Sequence, residues 1–504
     1  MSQSSSVSSP AENTPAAPSL SARNQDTAAI AGEPLATDIC VIGAGSGGLA
    51  LAIAAAAFGR KVVLVERHRM GGSGLNVGSI PSKALLATAK RAAAMRSAAP
   101  FGIASVEPQI DHRAVQQHVK SVISAIAPND SVERLTGLGV KVILGAARFL
   151  DKRTVLAGDY RITARRFVIA TGSSPEIPAI PGFESGGYLT NETIFEVDRK
   201  IPHLIVIGAG PVGLELAQAH LRLGSRVTVL EQARALGRDD PEAAAITLNA
   251  LRAEGIDIRE GTRVERVEIM SGYVRAHVSG PHGSQAIDGS HLLVAAGRTP
   301  NLSGLNLEAA GVKYGRQGIV VNRGLKTTNS RVFAIGDVAG GPHFSHVSSY
   351  QAEIVLRRAL FWQPAKVDPS IIPWITFTDP ELAQVGLTED QARAAKHRVN
   401  VLRASFAEND RAKAERDTIG HIKVVTSSKG YILGATIVGP NASELIQIWA
   451  LAIAQRLHIK AMTSYVAPYP TLGEIGRQAA FRQYATLPAK RSVRKVIDFL
   501  ARLG

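Results

Sequence analysis

The sequence predicts an α/β protein of about three domains, and three observations support that. The chain has 504 residues with 45% hydrophobic content, well past the size at which one hydrophobic core stops growing. Near its start an apolar strand, a glycine-rich turn and an Ala/Leu-rich helix follow one another. The same three pieces recur about 165 residues later.

The first copy is a strand over Asp38 to Ile42, the turn Gly43-Ala44-Gly45-Ser46-Gly47-Gly48, and a helix over Leu49 to Phe58. In a dinucleotide fingerprint Gly43 permits the tight turn, Gly45 lets backbone N–H groups approach a pyrophosphate, and Gly48 lets the helix pack on the strand. The next strand, Lys61 to Val65, leads to Glu66, 23 residues beyond Gly43. That is near the spacing expected of a carboxylate bonded to a ribose hydroxyl. The second copy carries Gly208, Gly210 and Gly213, then a strand over Val227 to Leu230 and Glu231, again 23 residues on. One fingerprint is a weak signal, whereas two in matching context imply two dinucleotides. An acid at the end of that strand accepts from a free 2′-hydroxyl and repels a 2′-phosphate, so Glu231 favours NADH; nearby Arg234 leaves NADPH open.

Composition narrows the chemistry. The only cysteine, Cys40, lies in the first apolar strand and is expected to be a buried structural thiol. A relay through sulfur needs two thiols, so thiol chemistry by the protein is excluded. The 57 Lys plus Arg against 42 Asp plus Glu give +15. Because these charges are scattered, they read as a basic surface and not as a nucleic-acid site. No metal site is expected. Apolar runs such as Leu49 to Phe58 fall short of the ~20 residues needed to cross a bilayer. Residues 1–36, rich in Ser, Ala and Pro, read as a disordered leader without secretory-signal features, so a cytoplasmic location is expected. In the basic tail Val493, Val496, Ile497 and Leu500 recur at helical spacing opposite cations. A subunit neighbour is the plainer partner for that stripe, and a membrane surface is the alternative.

The stretch Gly71-Gly72-Ser73-Gly74-Leu75-Asn76-Val77-Gly78-Ser79-Ile80-Pro81-Ser82-Lys83 resembles the active-site segment of the flavin-dependent disulfide reductases: dihydrolipoamide dehydrogenase, glutathione reductase and mercuric reductase. In that family the positions of Gly74 and Ser79 are the two redox cysteines. Val168 to Gly172, with Thr171 and Gly172, and Val332 to Asp337, with Gly336 and Asp337, resemble its two later FAD motifs. Leu293 to Asn301, with Gly297, resembles the strand that closes the nicotinamide unit. The resemblance covers about residues 37 to 485 and implies FAD on the first fingerprint and NAD(H) on the second, with NADP(H) open.

It further implies that Lys83 ion-pairs with Glu215 beside the flavin, and that Asp337 bonds the flavin's ribityl and phosphate region. Pro211 stands where glutathione reductases have an aromatic lid. Tyr469 replaces the histidine of a His-Glu pair whose glutamate is Glu474, and both would reach the site of the second subunit. The C-terminal cysteine pair of mercuric reductases is also missing. The implied fold is α/β, with two Rossmann-like nucleotide-binding domains and a C-terminal α+β dimerisation domain. Its expected divisions are FAD-binding (37–183 and 301–368), NAD(P)-binding (184–300), interface (369–485) and a basic amphipathic tail (486–504). The implied protein is a homodimer that passes electrons from nicotinamide through FAD to a non-disulfide, quinone-like or other small acceptor. A soluble transhydrogenase is one alternative, and a non-catalytic flavoprotein dimer acting as sensor or scaffold is another.

Overall fold

The computed structural model describes residues 32–396, 398–485 and 487–503. The run Ile39–Ile42 is too apolar to face water on either side and lies at the middle of a mainly parallel sheet, with Cys40 and Val41 fully buried. Its strand, Glu33–Ile42, sits between Val62–Glu66 and Tyr160–Ile169, with Val140–Leu144 outside Val62–Glu66 and Val332–Ala334 beside Tyr160–Ile169. Residues 1–31 of the expected leader lie outside the described residues. Residues 33–36 correct that expectation, because Glu33–Ala36 pair in register with Tyr160–Thr163. Local composition cannot show a partner strand more than a hundred residues away.

The helix after the first fingerprint spans Ser46–Ala57 and starts before the expected Leu49. Its first turn is made of Ser and Gly, so hydrophobic periodicity does not mark it. Helix Ser345–Leu360 packs against it over a shared apolar core of Leu51, Ala52, Ala55, Ala352 and Val355. The second unit repeats this plan, with parallel strands in the order Asp257–Arg259, Arg226–Leu230, His203–Ile207 and His291–Val294, and helix Pro211–Arg222 after its fingerprint. A three-stranded antiparallel sheet, Arg263–Met270, Tyr273–Gly280 and Gly283–Gly289, is inserted before the last strand. The chain leaves the first unit through Ser173–Pro175 and returns through Arg298–Pro300, and these two short strands pair antiparallel.

The third unit is a five-stranded antiparallel sheet in the order Trp374–Thr376, Glu381–Gly386, Ile432–Gly439, His421–Ser427 and Val399–Ser405. Helix Ala442–Ala454 covers it and buries Trp449. A buried ion cluster joins this sheet to the nicotinamide unit. Lys423 lies 2.8 Å from Asp240 and 2.7 Å from Glu242; Asp240 also accepts from the Glu242 and Ala243 backbones at the start of helix Pro241–Glu254. A buried lysine is tolerated only when its charge is met this closely. Beside it Trp374 donates its indole N–H to Asp239 at 2.8 Å, and burial pushes the Asp239 carboxyl up to about 6. Strand Trp374–Thr376 is thereby held against the nicotinamide unit. Among the described residues no helix is long and apolar enough to cross a membrane.

Candidate active site

The two fingerprints separate their glycines by task. A Cβ at Gly43 or Gly48 would lie 2.3 or 1.9 Å from a backbone oxygen, and at Gly208 or Gly213 2.4 or 2.0 Å, so these positions exclude side chains by packing. A Cβ at Gly45 would meet only the Gly72 Cα at 3.8 Å, and at Gly210 it would meet nothing within 4 Å. Both of these glycines precede a helix whose first N–H groups have no side-chain cap. Open space at an uncapped helix N-terminus fits a pyrophosphate, which would accept from those N–H groups and complement the helix dipole.

The acids of the two units are anchored alike. Glu66 accepts from the Ala44 and His68 backbones, both at 2.7 Å, and Glu231 from the Ala209 and Ala233 backbones, both at 2.9 Å. A carboxylate has about four lone-pair sites, so each acid is held still with acceptor capacity left for a ribose hydroxyl.

At the crossover between units, the Thr171 hydroxyl donates to the Asn301 carbonyl at 2.8 Å, and the Asn301 side-chain amide donates to the Thr171 carbonyl at 3.0 Å. The Asn301 backbone N–H donates to the Gly172 carbonyl at 3.0 Å. Asp337 accepts from the Ser173 hydroxyl and lies 3.6 Å from Arg298, which itself donates to Ser173 at 2.7 and 2.6 Å. Gly336 donates to Gln351 at 2.7 Å. Gly297 has φ 138° and runs close to Glu176. Arg298 also reaches Asn191 at 3.4 Å, and Asn191 donates to the Val77 carbonyl at 3.0 Å. This chain of bonds ties the loop of Gly74 and Ser79 to the FAD motif. Arg298 and Asn191 were not singled out in the sequence; Arg298 sits beside a marked glycine, but nothing local marks Asn191.

Lys83 and Glu215 come together across 132 residues with Nζ and Oε2 2.7 Å apart. The Glu215 side chain is 6% exposed and that of Lys83 35%. Phe377 holds this pair in two ways, by donating its backbone N–H to the other Glu215 oxygen at 2.9 Å and by placing its ring 4.1 Å from the Lys83 ammonium. A cation over an aromatic face, with its counter-ion fixed by a backbone donor, has few orientations left. Phe377 follows directly on the strand that Trp374 pins to Asp239. Its role was not legible, because it depends on how the third unit packs.

Gly74 lies in the short helix Gly72–Asn76, and Ser79 begins the helix Ser79–Arg96 that carries Lys83. A Cβ at position 74 would lie 2.9 Å from the Ser345 hydroxyl, so Ser345 occupies space that a larger residue would enter. Ser79 is exposed. Cys40 is wholly buried in its strand, and burial pushes its thiol up to about 12. A thiol so held is neutral and unreactive at neutral pH.

Tyr469 and Glu474 form no hydrogen bond or ion pair with Lys83, Glu215 or Ser79 within one chain. Tyr469 is 72% exposed and donates to Asp410 at 3.2 Å, and that bond raises its pKa above the ordinary phenol range. Glu474 accepts from the Thr471 backbone at 3.3 Å at the start of helix Glu474–Phe481. Val466, Leu451, Ile448 and Phe481 are exposed apolar side chains on the same unit.

Two dinucleotide cradles joined by a crossover, with a fixed ammonium between them, define a nucleotide-dependent flavoprotein oxidoreductase. The chain belongs to the pyridine nucleotide-disulphide oxidoreductases: that family's model matches residues 37–352, and its dimerisation domain matches residues 372–480. Mercuric reductase from Streptomyces lividans is 36% identical over 453 residues, covering 88% of this chain and 95% of that protein. Dihydrolipoyl dehydrogenase from Geobacillus stearothermophilus is 36% identical over 456 residues, covering 88% and 95%. Among solved structures, LpdA from Mycobacterium tuberculosis superposes with a TM-score of 0.82 at 27% identity, covering 89% of this chain and 99% of that one. The HOCl-induced flavoprotein disulfide reductase RclA from Escherichia coli gives 0.78 at 28%, covering 88% and 99%. The protein is thus an FAD-dependent oxidoreductase that uses a pyridine nucleotide and forms a homodimer. FAD, when bound, supplies the capacity to take two electrons from NAD(P)H and release them to an acceptor.

Proposed function

We propose that this protein passes electrons from NAD(P)H through FAD to a quinone-like or other small acceptor, with no protein sulfur in the path. The observation that carries this reading is the loop itself, which has Gly74 and Ser79 where the resemblance implies the redox cysteines, in a chain whose only thiol is Cys40. Everything needed on the donor side is retained. Lys83, held by Glu215 and Phe377, offers a fixed positive charge at the site, where preorganised charge is worth far more than in water. Glu231 favours NADH by accepting from an unphosphorylated ribose. On the acceptor side the partner subunit would supply a tyrosine and a glutamate in place of a histidine base. With its pKa raised by Asp410, Tyr469 stays protonated through neutral pH and is a poor base for a dithiol; its one O–H would serve an acceptor's carbonyl oxygen by exchanging Asp410 for it.

The test is an acceptor panel offered to protein reduced anaerobically with NADH: quinones, lipoamide, metal ions and oxygen. Rapid reoxidation by a quinone is expected, with NADH the faster donor than NADPH and dihydrolipoamide not turned over in the reverse assay. Turnover of dihydrolipoamide at a rate matching the quinone would overturn the proposal.

A further inference from the structure

The helix Arg491–Leu500 buries none of its residues, unlike every other helix of eight or more residues among those described. It is not polar all round. At 3.6 residues per turn Val493, Val496, Ile497 and Leu500 share one side, and Arg491, Arg494 and Lys495 share the opposite side. Val496, Ile497 and Leu500 are each 57% exposed. Lys490 and Arg502 flank the helix, and Asp498 is the only acid in this stretch.

We infer that this helix is a docking surface for an anionic lipid bilayer. An apolar stripe backed by cations fits the boundary between acyl chains and acidic headgroups, with the stripe entering the first and the cations meeting the second. Local charge argues against the same helix of a second copy as the occupant, since each carries Lys490, Arg491, Arg494, Lys495 and Arg502 against Asp498 alone. Position argues the same way, because the match to the family's dimerisation domain ends at residue 480, before the helix begins. That domain also exposes apolar side chains of its own, Val466 and Leu451 among them. A ten-residue helix binds a surface weakly by itself, so the attachment is reversible. The inference is independent of which acceptor the enzyme uses.

Flotation of the FAD-loaded, full-length dimer with phosphatidylglycerol–phosphatidylcholine vesicles, and with phosphatidylcholine vesicles alone, tests it. Binding is expected only to the vesicles containing phosphatidylglycerol, and it should fall as salt rises. Each cation near such a surface contributes about fivefold in affinity, so Arg494→Glu with Lys495→Glu should weaken binding by well over tenfold. Ile497→Ser with Leu500→Ser should also release the protein, with NADH oxidation unchanged in both variants. These exposed positions make misfolding an implausible cause, and sedimentation of each variant as a dimer checks that. No binding to the anionic vesicles, or equal binding by the parent and both variants, would overturn the inference. So would a tail substitution that changes the oligomeric state without lipid, which would assign the stripe to a second copy.

Discussion

Lys83→Met is expected to slow anaerobic reduction of the bound flavin by NADH by about a hundredfold, the scale of losing one preorganised electrostatic group at a reacting centre. The ammonium lies 2.7 Å from Glu215, whose other oxygen is held by the Phe377 backbone, so its charge is fixed in place before any substrate arrives. Glu215→Gln keeps an acceptor oxygen for the Phe377 N–H but turns an amide NH2 toward the Lys83 ammonium, so the negative charge and the acceptor for Lys83 are both lost. It should therefore fall between the parent and Lys83→Met. Glu215→Ala removes both contacts and leaves the ammonium unpaired. With the Lys83 side chain 35% exposed, much of that charge can be rehydrated, so the folding penalty should be well below the 3–5 kcal/mol typical of fully buried pairs. Stopped-flow spectroscopy at the flavin band measures all three variants. A Lys83→Met rate within threefold of the parent would remove this pair from the chemistry.

Alkylation gives the second large contrast. Iodoacetamide added after NADH reduction is expected to leave NADH:quinone activity intact, and Cys40→Ala is expected to do the same. An enzyme that used a nascent dithiol would lose essentially all activity under that treatment, because a thiolate is the species alkylated. Cys40 offers no such thiolate, since burial has pushed its pKa up to about 12. Removing its side chain from the core should still lower stability by roughly 1 kcal/mol through the small cavity left behind, which thermal unfolding would register separately from activity.

The geometry of the two fingerprint turns was legible in the sequence, for a physical reason. Gly43, Gly48, Gly208 and Gly213 are required by backbone oxygens about 2 Å from where a Cβ would stand, so the pattern of residues carries the geometry directly. Lys83 and Glu215 were legible as well, since each lies at a set offset from a motif and the fold brings the two offsets together. Phe377 and Asn191 were not, because each acts across an interface between units and lies 162 and 114 residues from its partner. Asp410 accepts from Tyr469 across 59 residues, and nothing local announces that contact. Residues 33–36 were misread for the same reason: their composition resembles a leader, while their structure comes from pairing with a distant strand.

The number of electrons each subunit accepts distinguishes a flavin acting alone from a flavin paired with a disulfide. In an anaerobic dithionite titration a flavin takes two electrons, and a flavin with a redox disulfide takes four. With Gly74 and Ser79 in the loop and Cys40 sealed in its strand, two electrons per FAD are expected, with no long-wavelength thiolate-to-flavin absorbance at the midpoint. Uptake of four electrons per FAD would contradict that expectation.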